Sequence, residues 1–294
     1  MLRGLPLRQI LIIMAKMKDR VPEQIETALN SGEGNRLILA SLRDLKRELS
    51  AMIDVQQKQN EVRAVGKADM KLRLLAFQEL AIASVTRTIA AIYLVSIVQL
   101  MVHTQIFELV RMQRLGRAQH EEAQRRFLAI VQHLLRADAA CGTSMFSMLV
   151  VRVEAAVRRF YSGVDERTVC DPARLADIIA AIRRDTELTT PSNPHESWIA
   201  GLMRQLLLHA SAALSANTGD ACAGQAASGA EEEEVCMHLS ALSQDMLEIL
   251  DSDLFAEALE DMLKEAFAWL HSAVVDRVFL GTQLSCLNGT KYKY

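Results

Sequence analysis

Seven histidines, five cysteines and a scatter of acidic residues are the side chains best able to hold a metal ion or run a nucleophilic mechanism. Their spacing supports neither. No histidine has a second histidine or a cysteine at ligand spacing, and no Glu-x-x-His pair recurs as a helical di-iron site requires. Cys141, Cys170, Cys222, Cys236 and Cys286 are odd in number and free of Cys-x-x-Cys spacing, which fits a reducing compartment. Magnesium-dependent helical synthases use aspartate-rich runs. The nearest approach here is Glu257, Glu260 and Asp261, with Lys264 and Glu265 in register, the pattern of a solvated charged face. There is no Gly-x-x-x-x-Gly-Lys-[Ser/Thr] phosphate loop, and Gly32-Glu33-Gly34 reads as a loop that ends a helix. No nucleophile stands beside a base in the sequence, although a triad assembled in space leaves no such trace. The residues point away from catalysis: no enzyme, no metal site and no cofactor is expected.

The elements behind these residues are helices. Half of the 294 residues are apolar but only 5% are aromatic, and Gly (13) and Pro (5) are scarce, which disfavours a sheet with many tight turns. A net charge of −3 gives no reason to expect nucleic acid as a partner. Residues 1–34 read as a leader. Its Leu7, Ile10, Leu11, Met14 and Met17 fall at helical spacing, and its apolar run is too short to span a bilayer. Ile38, Leu42, Leu45, Leu49 and Met52 make a narrow apolar seam, so one helix is expected from Arg36 to about Asn60. From about Lys71 to Leu115 neither Gly nor Pro interrupts the chain, which predicts a single rod some 65–70 Å long at ~1.5 Å per residue.

Further helices are expected over Gln119 to Asp138, Ser144 to Tyr161, and Asp171-Pro172 to Glu187, the last with an N-cap followed by proline. Asn193 and Glu196 make a capping box for a helix carrying Trp198. Residues 212–234 lose periodicity and read as a flexible loop, followed by helices Val235 to Leu250 and Asp253 to about Leu280, with a tail over 281–294. The fold class is therefore all-α: an elongated helical bundle over residues 35–280, organised around one long central helix.

Within that helix, Thr88 to Phe107 carries no charge for twenty positions, enough to cross a bilayer. Ser84, Thr88, Ser96, Gln99 and His103 nevertheless fall within about a third of the circumference at 100° per residue. Such a seam suits a helix surrounded by other helices, where polar groups find partners; alone in lipid each would cost several kcal/mol. Patterning favours the buried helix, with an integral span over 88–107 as the alternative.

FQELAIASVTRTIAAIY, Phe77 to Tyr93, resembles the signature of the peroxisomal biogenesis factor 3 family. There an aromatic residue and a leucine lead into an Ile-x-Ser-x-Thr-Arg-[Ser/Thr] run and an Ala-aliphatic-Tyr step on a long helix. Phe127 to Leu135 is similar to that family's Tyr-Leu…Ile-Gln-His-Leu-Leu segment, and Ser240 to Leu270 to the run around Asp-Met-Leu-Glu-x-x-Asp-Phe. Arg174 to Glu187 occupies the place of a short amphipathic helix, and Leu39 to Leu49 matches a leucine-rich helix more loosely.

The resemblance implies a helical bundle on the peroxisomal membrane, facing the cytosol. It implies a docking receptor for the soluble carrier peroxisomal biogenesis factor 19, whose amphipathic helix lies in an apolar groove and delivers peroxisomal membrane proteins. Carried over by position, Phe77 stands where better-known members have a tryptophan at the groove centre, and Arg73 where they have a lysine that meets partner acids. Leu74, Leu80 and Ser84 complete the expected partner-binding set. Thr86, Arg87 and Tyr93 are signature residues expected to hold helices together. Without the resemblance, Phe77 and Leu80 would read as core. The chain departs from the family in its Phe77, in a leader too short for the expected membrane anchor, and in lacking a counterpart to the last helices. A generic scaffold for another amphipathic helix is the remaining alternative.

Overall fold

The computed structural model describes residues 32–65, 69–114, 125–128, 145–162, 171–187, 198–199, 201, 229–250 and 252–280. The leader up to residue 31, the Asn193 capping box and the 281–294 tail lie outside them, as do most of the Gln119 to Asp138 helix and residues 212–228 of the expected loop. Among the described residues there is no strand. Helix α1 covers Gly32–Met52, α2 Val55–Ala64, α3 Met70–Arg114, α4 Met145–Ser162, α5 Pro172–Glu187, α6 Gly229–Leu250 and α7 Asp253–Val274. The last continues as a π-turn, Val275–Leu280.

The rod is α3, 45 residues long, or about 68 Å at ~1.5 Å per residue. It starts at Asp69, whose carboxylate accepts the Leu72 N–H at 3.0 Å and satisfies one of the orphan donors of the first turn. Helices α1, α2, α4, α6 and α7 all pack on it, while α5 packs on α4 and α7. Between Ile89 and Leu109 every residue is buried except Ala91, Ile92, Val95 and Gln99. A helix covered on nearly all sides has no solvent face to make polar, and α3 accordingly lacks one-sided amphipathicity.

Three boundaries differ from the expectation. The Arg36 to Asn60 helix is two helices, because Asp54 caps a new one: its side chain accepts the Gln57 N–H at 2.9 Å. Gly32-Glu33-Gly34 opens α1 where a helix-ending loop is expected. Helix α6 begins at Gly229, six residues before the expected Val235. The acidic run Glu231 to Glu234 read as part of a flexible loop, yet negative charge near a helix N-terminus opposes the positive end of the macrodipole. At Asp171-Pro172 the expected cap is present, with the Asp171 carboxylate accepting the Arg174 N–H at 2.7 Å.

The polar seam of α3 is satisfied differently from the expectation. The His103 ring hydrogen-bonds the Gln99 carbonyl at 2.6 Å, the Thr104 hydroxyl donates to Leu100 O at 2.9 Å, and Thr88 donates to Ser84 O at 2.9 Å. These bonds turn back onto the helix itself, so buried His103 and Thr104 enter the core without help from a neighbour, while Thr88 stays exposed. Gln105 does reach another segment, donating to the Phe127 carbonyl.

Candidate functional site

The first turns of α3 are the anomaly of the surface. Leu74 is 45% exposed, Leu75 58% and Phe77 47%, with Met70 and Leu72 exposed beside them. Single exposed leucines need no explanation, but a run of exposed apolar side chains at the end of the central helix is a candidate interaction surface. Arg73, Leu74, Phe77, Leu80 and Ser84 all fall within a third of the α3 circumference at about 100° per residue, so they form one stripe. The stripe descends from exposed Leu74 and Phe77 to half-buried Leu80 and Ser84.

Arg73 holds its guanidinium 5.7 Å from the Phe77 ring centroid, a loose cation–π pair that shields one ring face and leaves a positive charge at the stripe's edge. The plain core reading of Phe77 does not describe its position. Leu80, half-buried, is intermediate between the two readings.

Behind the stripe α3 is joined to α4 by ion pairs. Arg158 of α4 donates to both carboxylate oxygens of Glu79, at 2.7 and 2.8 Å, and also to Glu154 at 2.8 Å. The hydrogen bond from Arg158, opposed by partial burial, holds the Glu79 carboxyl below its usual range, and the same bond raises Arg158. This fork clamps α3 to α4 directly behind the stripe.

The signature residues divide. Tyr93, fully buried, donates its hydroxyl to Glu187 at 2.7 Å and stacks edge-on with Phe267 at 5.4 Å. Arg183 donates to Glu187 and to Glu260, both at 2.7 Å, and lies 5.5 Å from the Phe267 ring centroid. Four side chains around Tyr93 thus join α3, α5 and α7. Burial and the adjacent Glu187 charge push the Tyr93 hydroxyl pKa far above its ordinary value, keeping it a donor. Sequence reasoning placed Glu260 on a solvated acidic face, and only its ion pairs reveal it as a bundle contact. Arg87 donates to Ser50 of α1 at 2.7 Å, a bond between helices. Thr86 is buried, and its hydroxyl has no partner among the described residues, so it contributes by packing alone.

Further along the same face of α3 lies a groove lined by none of the expected partner-binding residues Arg73, Leu74, Phe77, Leu80 and Ser84. It is largely apolar, about 560 Å³ in volume, and is walled by Leu42, Leu45 and Leu49 of α1 and by Met262, Trp269 and Leu270 of α7. Its floor includes Ala91, Ile92, Val95 and Gln99, the four residues that interrupt the burial of α3. Leucines at that spacing read as core; that α1 and α7 stand far enough apart to leave a slot is a tertiary fact. Among the described residues, no group of three His, Cys, Asp or Glu side chains is arranged to hold a metal ion.

Comparison with models of known protein families and with curated proteins finds no match to this chain.

Proposed function

We propose that this chain is a non-enzymatic docking receptor of the peroxisomal biogenesis factor 3 kind. In this reading it captures an amphipathic helix of peroxisomal biogenesis factor 19 on the α3 stripe and so serves delivery of peroxisomal membrane proteins. The observation that carries the reading is the exposure of Phe77 and Leu74 beside Arg73, on a helix whose later turns are buried. A stiff helix presenting aromatic and aliphatic anchors next to a cation suits an amphipathic partner with acids at its edge.

A purified chain mixed with the N-terminal helix of the carrier is expected to form a complex, and Phe77→Ala is expected to weaken it at least tenfold. Absence of binding by the unaltered chain would remove the reading; equal binding by Phe77→Ala would remove the site.

Localisation at the peroxisomal membrane with the bundle facing the cytosol belongs to the same proposal. Helix α3 is long and apolar enough to cross a bilayer by length and composition, which supports some form of membrane association. Its burial by five neighbouring helices favours the bundle arrangement over a span at 88–107. Alkaline carbonate washing separates the two: a bundle docked without a span is released, and a spanning helix stays with the membrane.

A further inference from the structure

We infer that the groove between α1, α3 and α7 binds a free long-chain fatty acid, with its carboxylate at Arg87 and Lys46 and its alkyl chain along α3. The slot has a charged end and an apolar body. At the charged end, Arg87 donates to the Ser50 hydroxyl of α1 at 2.7 Å, and Lys46 stands one turn before Ser50 on the same helix. Both line the groove, and among the described residues neither meets a carboxylate. Ser50 engages one Nη2 of a guanidinium that has five N–H donors, leaving a fork for a bidentate anion.

From Arg87 the groove runs along α3 to Gln99, about 12 residues and therefore about 18 Å. Its 560 Å³ lies within the roughly 300–1,000 Å³ of ligand clefts. The first 20 residues of the leader, which carry its apolar stripe, are a poor occupant on charge: they hold Arg3, Arg8, Lys16, Lys18 and Arg20 against Asp19, and would bring cations to a cationic mouth. An anion with a single alkyl chain meets both ends of the groove, and a carboxylate matches the planar fork of Arg87.

The test is equilibrium dialysis of the full chain against labelled palmitate, with hexadecanol as the uncharged probe of the same chain length. Saturable binding of one palmitate per chain is expected, at least tenfold tighter than hexadecanol. Lys46→Glu, on an exposed side chain, is expected to weaken palmitate five- to tenfold without changing the thermal midpoint. Ala91→Trp, which fills the floor, is expected to abolish binding; Thr88→Trp at the exposed rim replaces it should that variant not fold. Equal affinity for hexadecanol, binding unaltered in Lys46→Glu, or no palmitate bound would each overturn the inference. Displacement of palmitate by the carrier's helix would reassign the groove to the partner and equally overturn it, whereas failure of the carrier's helix to bind anywhere leaves the palmitate result to stand by itself.

Discussion

The Tyr93 hydroxyl donates to Glu187 at 2.7 Å across 94 positions of sequence, joining the middle of the central helix to the last residue of α5. A fully buried tyrosine bonded to a carboxylate contributes more than a neutral pair. Tyr93→Phe is expected to cost about 1.5–3 kcal/mol, read as a lowered urea midpoint with an unchanged slope. Because Arg183 also holds Glu187, the carboxylate stays paired in the variant. A cost below about 0.5 kcal/mol would show that the hub tolerates losing its phenol.

Phe77 and Ile97 lie on the same helix and separate docking from stability. Phe77→Ala removes a side chain that is 47% exposed, so unfolding free energy should change by no more than about 0.5 kcal/mol while carrier binding falls at least tenfold. Ile97→Ala opens the core and should cost about 2–5 kcal/mol. Chemical denaturation of both variants checks the split, and a large loss from Phe77→Ala would return that ring to the core.

His103 gives the bundle an acid-sensitive point. Burial pushes its imidazole below the ordinary value of 6.5, against the bond to the Gln99 carbonyl. In the unfolded chain the ring takes up a proton near pH 6.5, while in the folded chain it does so only at lower pH. Its contribution is therefore present above pH 6.5 and lost as pH falls from there through the depressed folded value. Unfolding free energy measured from pH 7.5 to 5 should decline less in His103→Leu than in the unaltered chain; parallel curves would place the acid sensitivity elsewhere.

The Arg158 fork lies on the surface, and its effect is modest by the same logic. Both partners are more than a third exposed, so Arg158→Ala should cost under about 1 kcal/mol. The deficit should shrink in 1 M salt, where the screening length is about 3 Å. A deficit indifferent to salt would mean that the arginine stem packs, and that the charge matters little.

Much of the architecture was legible because helices announce themselves by period and punctuation. The absence of Gly and Pro between Lys71 and Leu115 predicted the rod nearly to its ends, and Leu45 and Leu49 are buried as their seam requires. Asp54 was harder to read, since nothing local distinguishes an acid that caps a new helix from one on a continuing helix. At the apolar end of α3, the family resemblance singled out Leu74 and Phe77, but residue types alone did not. Met70, Leu72, Leu74 and Leu75 are ordinary helix formers, and only the placement of neighbouring helices leaves them uncovered. The groove is illegible for the same reason: an apolar position in sequence fills a core or lines a slot according to how far apart α1 and α7 stand.

The burial of α3 has a consequence for synthesis. Its uncharged stretch ends at Phe107, and one of the helices that cover it, α7, begins at Asp253, so about 150 residues must be translated between them. At ~5–20 residues per second, the ribosome presents an incompletely covered, bilayer-length apolar segment for roughly 8–30 s before α7 arrives. Nascent chains arrested before Asp253 are therefore expected to partition into added microsomes or be held by chaperones, whereas released full-length chains are not. Equal behaviour of the two would mean that the earlier helices already suffice. For the cell, the risk of misdelivery is confined to the interval in which this protein is still being made.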